Sequence, residues 1–190
     1  VLNSTNNHPA SAYVTAVQER IDVDQWMRFF AVHTLIDDQE TTLGSGYGDD
    51  YGLYRGVADT RFLVTPYDMD TLMGQGDTAG KIDDELFRFT GTGTSHALPA
   101  IERLARTPEF ARLYYRHLDT LGRTVFAPQS MDPLLDRLLG ENGVPAATVA
   151  AMKSFNASRV AWVLGQIPRT LTAVSDLAVA NGYPKATTGT

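Results

Sequence analysis

The sequence contains no cysteine, so disulfides, thiolate metal sites and thiol nucleophiles are excluded at the outset. Long apolar runs are also missing, and nothing approaches the roughly 20 residues that a membrane-spanning helix needs. No secretory leader pattern is visible. The chain opens on Val1 rather than an initiator methionine, and the expectation is a piece of something longer. Positive charge is scarce, with 16 Lys and Arg against 22 Asp and Glu. A net charge of -6 argues against a nucleic-acid backbone as partner, because such binders carry a basic face. With 190 residues, 43% of them apolar, the chain is long enough for one sizeable core.

What is present is acid, unevenly placed. Residues 37–85 hold twelve carboxylates and only Arg55, Arg61 and Lys81 as bases, whereas the remainder has ten acids and thirteen bases. Such a local field points to a bound cation or to a solvated acidic face.

The pattern along the chain gives an order of elements. Residues 1–12 are polar and aperiodic and read as a lead-in loop. From Asp24 onward, Trp26, Phe29, Phe30, His33 and Ile36 form one apolar helical stripe behind an Asp N-cap, ending near Asp37 or Asp38. Residues 39–50, QETTLGSGYGDD, form a loop. Two short strands are expected near 51–57 and 61–67, joined by a tight turn at Ala58-Asp59-Thr60. Residues 74–97 read as a second acidic, Gly- and Thr-rich loop, long enough to suggest a functional role. Helices follow over Leu98–Ala105, from Thr107-Pro108 with Thr as N-cap, over Ser130–Leu139, and over Pro145–Gln166. The polar tail 169–190 is expected to be partly disordered. The fold class is therefore α+β, a mostly helical lobe with a small antiparallel β-hairpin.

Asp68 and Asp70 lie two apart at the end of the second strand, a spacing that lets both side chains face one way and share a hard cation. Oxygen-only ligands select Mg²⁺, Mn²⁺ or Ca²⁺ over zinc. Asp50 begins the first strand, and hairpin pairing sets it beside that end. Asp37, Asp38 and Glu40 leave the helix within reach of the same point. A helix, loop, hairpin and Asp in this order is the layout of a kinase catalytic core. The plainer alternatives are that Asp68 and Asp70 are solvated turn acids, Asp49 and Asp50 begin a strand, and Glu40 is an exposed loop acid. His33, on the apolar stripe, reads as a satisfied core histidine. The GSGYGDD run also resembles extracellular calcium-binding loops.

The words Ile21-Asp22-Val23-Asp24-Gln25-Trp26, Phe30-Ala31-Val32-His33-Thr34-Leu35, Leu53-Tyr54-Arg55 and Pro66-Tyr67-Asp68-Met69-Asp70, with Gly74, occur in one order. In that order the sequence resembles the CotH kinase family of atypical protein kinases. The resemblance covers about residues 20–76. It implies a C-terminal lobe over 21–168, with metal and catalytic loops at 37–85 and a helical bundle at 98–168, preceded by a lead-in at 1–20. It implies that Asp68 binds metal, with Asp70 beside it, and that Asp50 stands where the family has its metal-holding Asn. Glu40 stands where the family has its catalytic Asp, with Asp38 as the competing base. Glu for Asp lengthens the base by a methylene, and Asp for Asn adds a charge that attracts cations and repels phosphates. The implied cofactor is Mg²⁺ or Mn²⁺ with ATP, Ca²⁺ being the alternative. The implied partners are ATP, a protein substrate and an upstream lobe carrying the phosphate-clamping lysine, since Lys81 is the first lysine here. A secreted or cell-surface location is implied too. The competing function is a non-catalytic calcium-binding, scaffold or adhesion module with a degenerate kinase fold.

Overall fold

A computed structural model describes residues 2, 10–40, 43–46, 50–169, 179–180 and 183–184. In chain order these form α1 (Ala10–Gln18), α2 (Val23–Ile36), β1 (Tyr51–Arg55), β2 (Phe62–Pro66) and a 3-10 turn (Arg88–Thr90). Then come α3 (Pro99–Arg106), α4 (Pro108–Arg123), α5 (Pro128–Leu135), a π-helical turn (Asp136–Gly140) and α6 (Ala146–Gln166). A two-residue pair, β3 (Val179–Ala180) with β4 (Tyr183–Pro184), completes the described residues. The expected α+β class, mostly helical with one antiparallel hairpin, is what forms.

The centre of the molecule is α2. Asp22 caps it by accepting a hydrogen bond from the Gln25 N–H at 3.2 Å. All five residues of the expected apolar stripe are buried, but so are Met27, Ala31, Thr34 and Leu35. Only the face of Asp24, Gln25, Arg28 and Val32 keeps some exposure, and a helix buried over the rest of its surface needs neighbours on several sides. Here α4 supplies Phe110, Tyr114 and Leu118, and α6 supplies Val160 and Val163. The stacked rings of Phe30 and Phe89, 4.3 Å apart, fasten the 3-10 turn to the same core.

The hairpin is held to α2 by a side chain acting as a strand. Phe62 donates its N–H to the Arg20 carbonyl and accepts from the Asp22 N–H and the Trp26 indole. Both backbone groups of Val64 pair with the Gln25 amide, the N–H at 3.1 Å to Oε1 and the C=O at 2.7 Å from Nε2. With Phe62 and Val64 turned outward, β1 pairs through the alternate residues, and Pro66 falls where no N–H is required.

Three local expectations change. Residues 10–12, read as loop, begin α1, because Tyr13 and Val17 fall one turn apart and both enter the core, with the Arg103 guanidinium 3.7 Å from the Tyr13 ring centroid. Thr107 stands at the N-cap of α4, yet its hydroxyl donates back to the Arg103 carbonyl at 2.7 Å instead of capping. The helix expected over Ser130–Leu139 stops at Leu135 and widens into a π turn, three residues after Pro133, which has no N–H to offer. Apart from Arg169 and the β3–β4 residues, the expectation for the tail lies outside the described residues.

Candidate functional site

The C-terminus of α2 turns sharply because Asp37 adopts the left-handed conformation, φ 52°. Among the described residues the other non-glycines at positive φ are Asp50, Asp68 and Met73. All four sit in or beside the two acidic loops. Asp tolerates this conformation better than most residues, and such concentrations mark functional sites.

Past that turn, Asp38 folds back on the helix it has left. Its Oδ2 is 2.6 Å from His33 Nδ1, both side chains being 3% exposed, and its Oδ1 accepts the Glu40 N–H at 3.0 Å. His33 is thus the satisfied core histidine that its position suggested. Both oxygens of Asp38 are engaged in holding the loop. The Glu40 carboxyl takes a hydrogen bond from the Thr71 hydroxyl, which draws its pKa down. A hydrogen bond shared with Asp70, desolvation, and repulsion from Asp70 and Asp50 outweigh that bond, so the net shift is upward. Thr71 Oγ1 also lies 3.3 Å from Asp70 Oδ1, so its single proton is shared between the two carboxyls. Glu40 thus lies in the electrostatic field of Asp70 and Asp50, which come from two other stretches of chain.

The Tyr67 N–H donates to the Asp50 carbonyl at 3.3 Å, which sets the ends of the two strands side by side. Asp68 follows at once, exposed and at φ 44°. Asp49 lies outside the described residues. Among the described residues no three acidic or histidine side chains stand as a ready metal cage. Mg²⁺ needs no such cage, since it commonly takes one or two carboxylates and completes its shell with phosphate and water oxygens. The carboxylates of Asp50 and Asp70 are oxygen donors of the kind that such a hard ion takes.

A cleft of about 690 Å³ opens over this loop. Asp37, Asp38, Glu40 and Asp50 line one wall; Asp84, Glu85, Arg88, Thr92 and Thr94 line the other; Arg159 reaches it from α6. Asp68 and Asp70 stand outside the lining. Sequence reasoning missed Thr71, Arg88 and Arg159. The signal for Arg159 was legible: with Met152, Asn156 and Val163 it falls on the buried face of α6, and a charge on an apolar stripe has a partner.

A family description for CotH kinase protein matches residues 1–148. The chain belongs to this family. It is also 25% identical over 128 residues to inner spore coat protein H of Bacillus subtilis (strain 168), an alignment covering 67% of this chain and 33% of that protein. The chain thus spans about a third of that relative's length. No solved structure matches. The α6 residues from Val149 onward, Arg159 among them, lie beyond the CotH match.

Proposed function

We propose that this chain is the catalytic-loop half of a CotH-type phosphotransferase that moves the γ-phosphoryl of ATP to a protein hydroxyl, with Mg²⁺ or Mn²⁺. The observation that carries the reading is a cleft that gathers Asp37, Asp38, Glu40 and Asp50 in a chain of the CotH family, an acidic lining whose repulsion a divalent cation relieves. Glu40 accepts the proton of the attacking hydroxyl at the cleft. Asp50 and Asp68, with Asp70, are the oxygen donors for the metal, which when bound neutralises phosphate charge. An open arrangement of two or three carboxylates suits Mg²⁺ or Mn²⁺ better than the seven or so oxygens that Ca²⁺ takes. Among the described residues the cleft is lined by Arg88 and Arg159 but no lysine, so the phosphate clamp comes from another part of the full protein. By itself this chain does not phosphorylate. The relative is named for a spore coat, and a surface or coat location is proposed here on that ground.

The test is nucleotide binding and phosphotransfer by a chain extended at its N-terminus. Binding of ATP with Mg²⁺ or Mn²⁺ is expected, and Glu40→Gln lowers phosphotransfer by about 10²-fold or more while leaving ATP binding in place. Asp68→Ala weakens metal-dependent ATP binding itself. An extended chain that binds no nucleotide refutes the reading and favours a scaffold or calcium-binding module, in keeping with the two departures at Glu40 and Asp50.

A further inference from the structure

The largest of the fully buried side chains is a cation. Arg159 is 1% exposed, and its Nε donates to the Thr34 carbonyl at 3.0 Å. Its Nη1 donates to the carbonyls of Ile82 at 2.8 Å and Asp84 at 2.6 Å, and its Nη2 lies 3.5 Å from Asp37 Oδ1. One guanidinium thus joins the last turn of α2, the acidic segment 82–84 and the residue that starts the Glu40 loop. Asp37 carries the connection on. Its Oδ2 accepts Gln39 Nε2 at 3.0 Å, the same nitrogen lies 3.3 Å from Asp84 Oδ2, and the Gln39 N–H donates to the Thr71 carbonyl at 3.0 Å. Thr71 is the residue whose hydroxyl meets Glu40. On the far side Gly80 closes the assembly. A Cβ there would stand 1.9 Å from Asp37 Oδ2 and 2.5 Å from Gln39 Nε2.

We propose that Arg159, acting through Asp37 and Gln39, is a positioning residue that sets the Glu40 loop against Thr71 and Asp70, and that α6 is therefore part of the functional site. The meaning of Glu40 rests on the function proposed above; the clasp itself does not. Burying a guanidinium is costly unless its donors are met, and here they are met by carbonyls from two segments, with Gln39 Nε2 near Asp84 Oδ2 as a further link between them. Lysine cannot replace it, because a single ammonium does not present the fork that reaches Thr34, Ile82 and Asp84 at once.

The experiment uses this chain with Arg159→Lys and, independently, Gly80→Ala, which pushes Asp37 and Gln39 from the opposite side. Amide hydrogen exchange of residues 34–40 and 80–86 is expected to quicken about tenfold in both variants, with α4 unchanged. Mn²⁺, added as the bare ion and followed by electron paramagnetic resonance, is expected to bind more weakly in both; a merely structural arginine would lower the melting temperature and leave that affinity alone. Exchange that quickens equally in α4, or quickens nowhere, overturns the clasp, and so does unchanged Mn²⁺ affinity. A parent chain that takes up no Mn²⁺ counts against the proposed function, while the exchange pattern still decides the clasp.

Discussion

Asp37 sits between two opposing demands. Burial pushes its carboxyl up to about 6 from an ordinary 3.8, and Asp84 adds to the rise. Arg159, Arg88 and the Lys81 N–H pull the other way without prevailing. Arg159 has its own pKa lowered, by burial first, so both members of the pair are resisted by the same dry surroundings. The sign for stability follows. Between about 4 and 6 the folded chain holds a proton on Asp37 that the unfolded chain has released, so this group's contribution falls as pH rises through that window and levels off above it. Asp37→Asn removes the slope. Urea denaturation of both proteins at a series of pH values should show the variant gaining on the parent from pH 4 to pH 6, with the difference flat above. A constant difference across the window would mean that Asp37 titrates normally. Asp59 runs the other way, held at about 2 by its hydrogen bonds with Arg61, and as it is common to both proteins it cancels in the comparison. At this scale the sequence was half legible. The acids and their order could be read, as could the kinase-like layout. The Asp38–His33 bond and the influence of Asp70 on Glu40 follow a left-handed turn that no local pattern announces.

The elements were easier to read, because periodicity and proline report directly on them. Two short runs on either side of a tight turn at Ala58-Asp59-Thr60 gave both strands, and Pro at the first helical position found α4. Two failures have different causes. The start of α1 depends on what Tyr13 meets across the fold, while Thr107 has a choice between capping forward and bonding back one turn, which residue type alone does not decide. Gln25 is a clearer case of the first kind: in the sequence it is one polar residue in the first turn of a helix. In the structure its amide takes both the N–H and the C=O of Val64, a residue with no exposure, and so replaces a third strand. A two-stranded hairpin is marginal in water without such support. Gln25→Ala strands two buried backbone groups, each worth about 1–3 kcal/mol, and should destabilise the protein by about 2–4 kcal/mol. Urea unfolding measures the loss, and faster exchange of the Val64 and Trp26 amides would locate it. A cost under about 0.5 kcal/mol would mean that water takes over the bonds and that the hairpin stands without α2.

For the whole molecule, the question is where the folding unit ends. The CotH match stops at residue 148, just inside α6. The physics places the boundary further on. Val149, Met152, Val160 and Val163 complete the core around α2 and α5, Asn156 Nδ2 donates to the Phe126 carbonyl at 2.9 Å, and Arg159 ties the acidic loops. Each large apolar side chain withdrawn from such a core costs about 1.5–3 kcal/mol, and four of them exceed much of the 5–15 kcal/mol by which an ordinary domain is stable. A chain ending at residue 148 should therefore lose its cooperative thermal transition and bind a hydrophobic dye, while one ending at residue 169 should melt as sharply as the parent. Circular dichroism on heating separates the two outcomes. Were the shorter chain to melt cooperatively, α6 would be an accessory to a core that is already complete. The Arg159 clasp would then decorate the Glu40 loop rather than hold it.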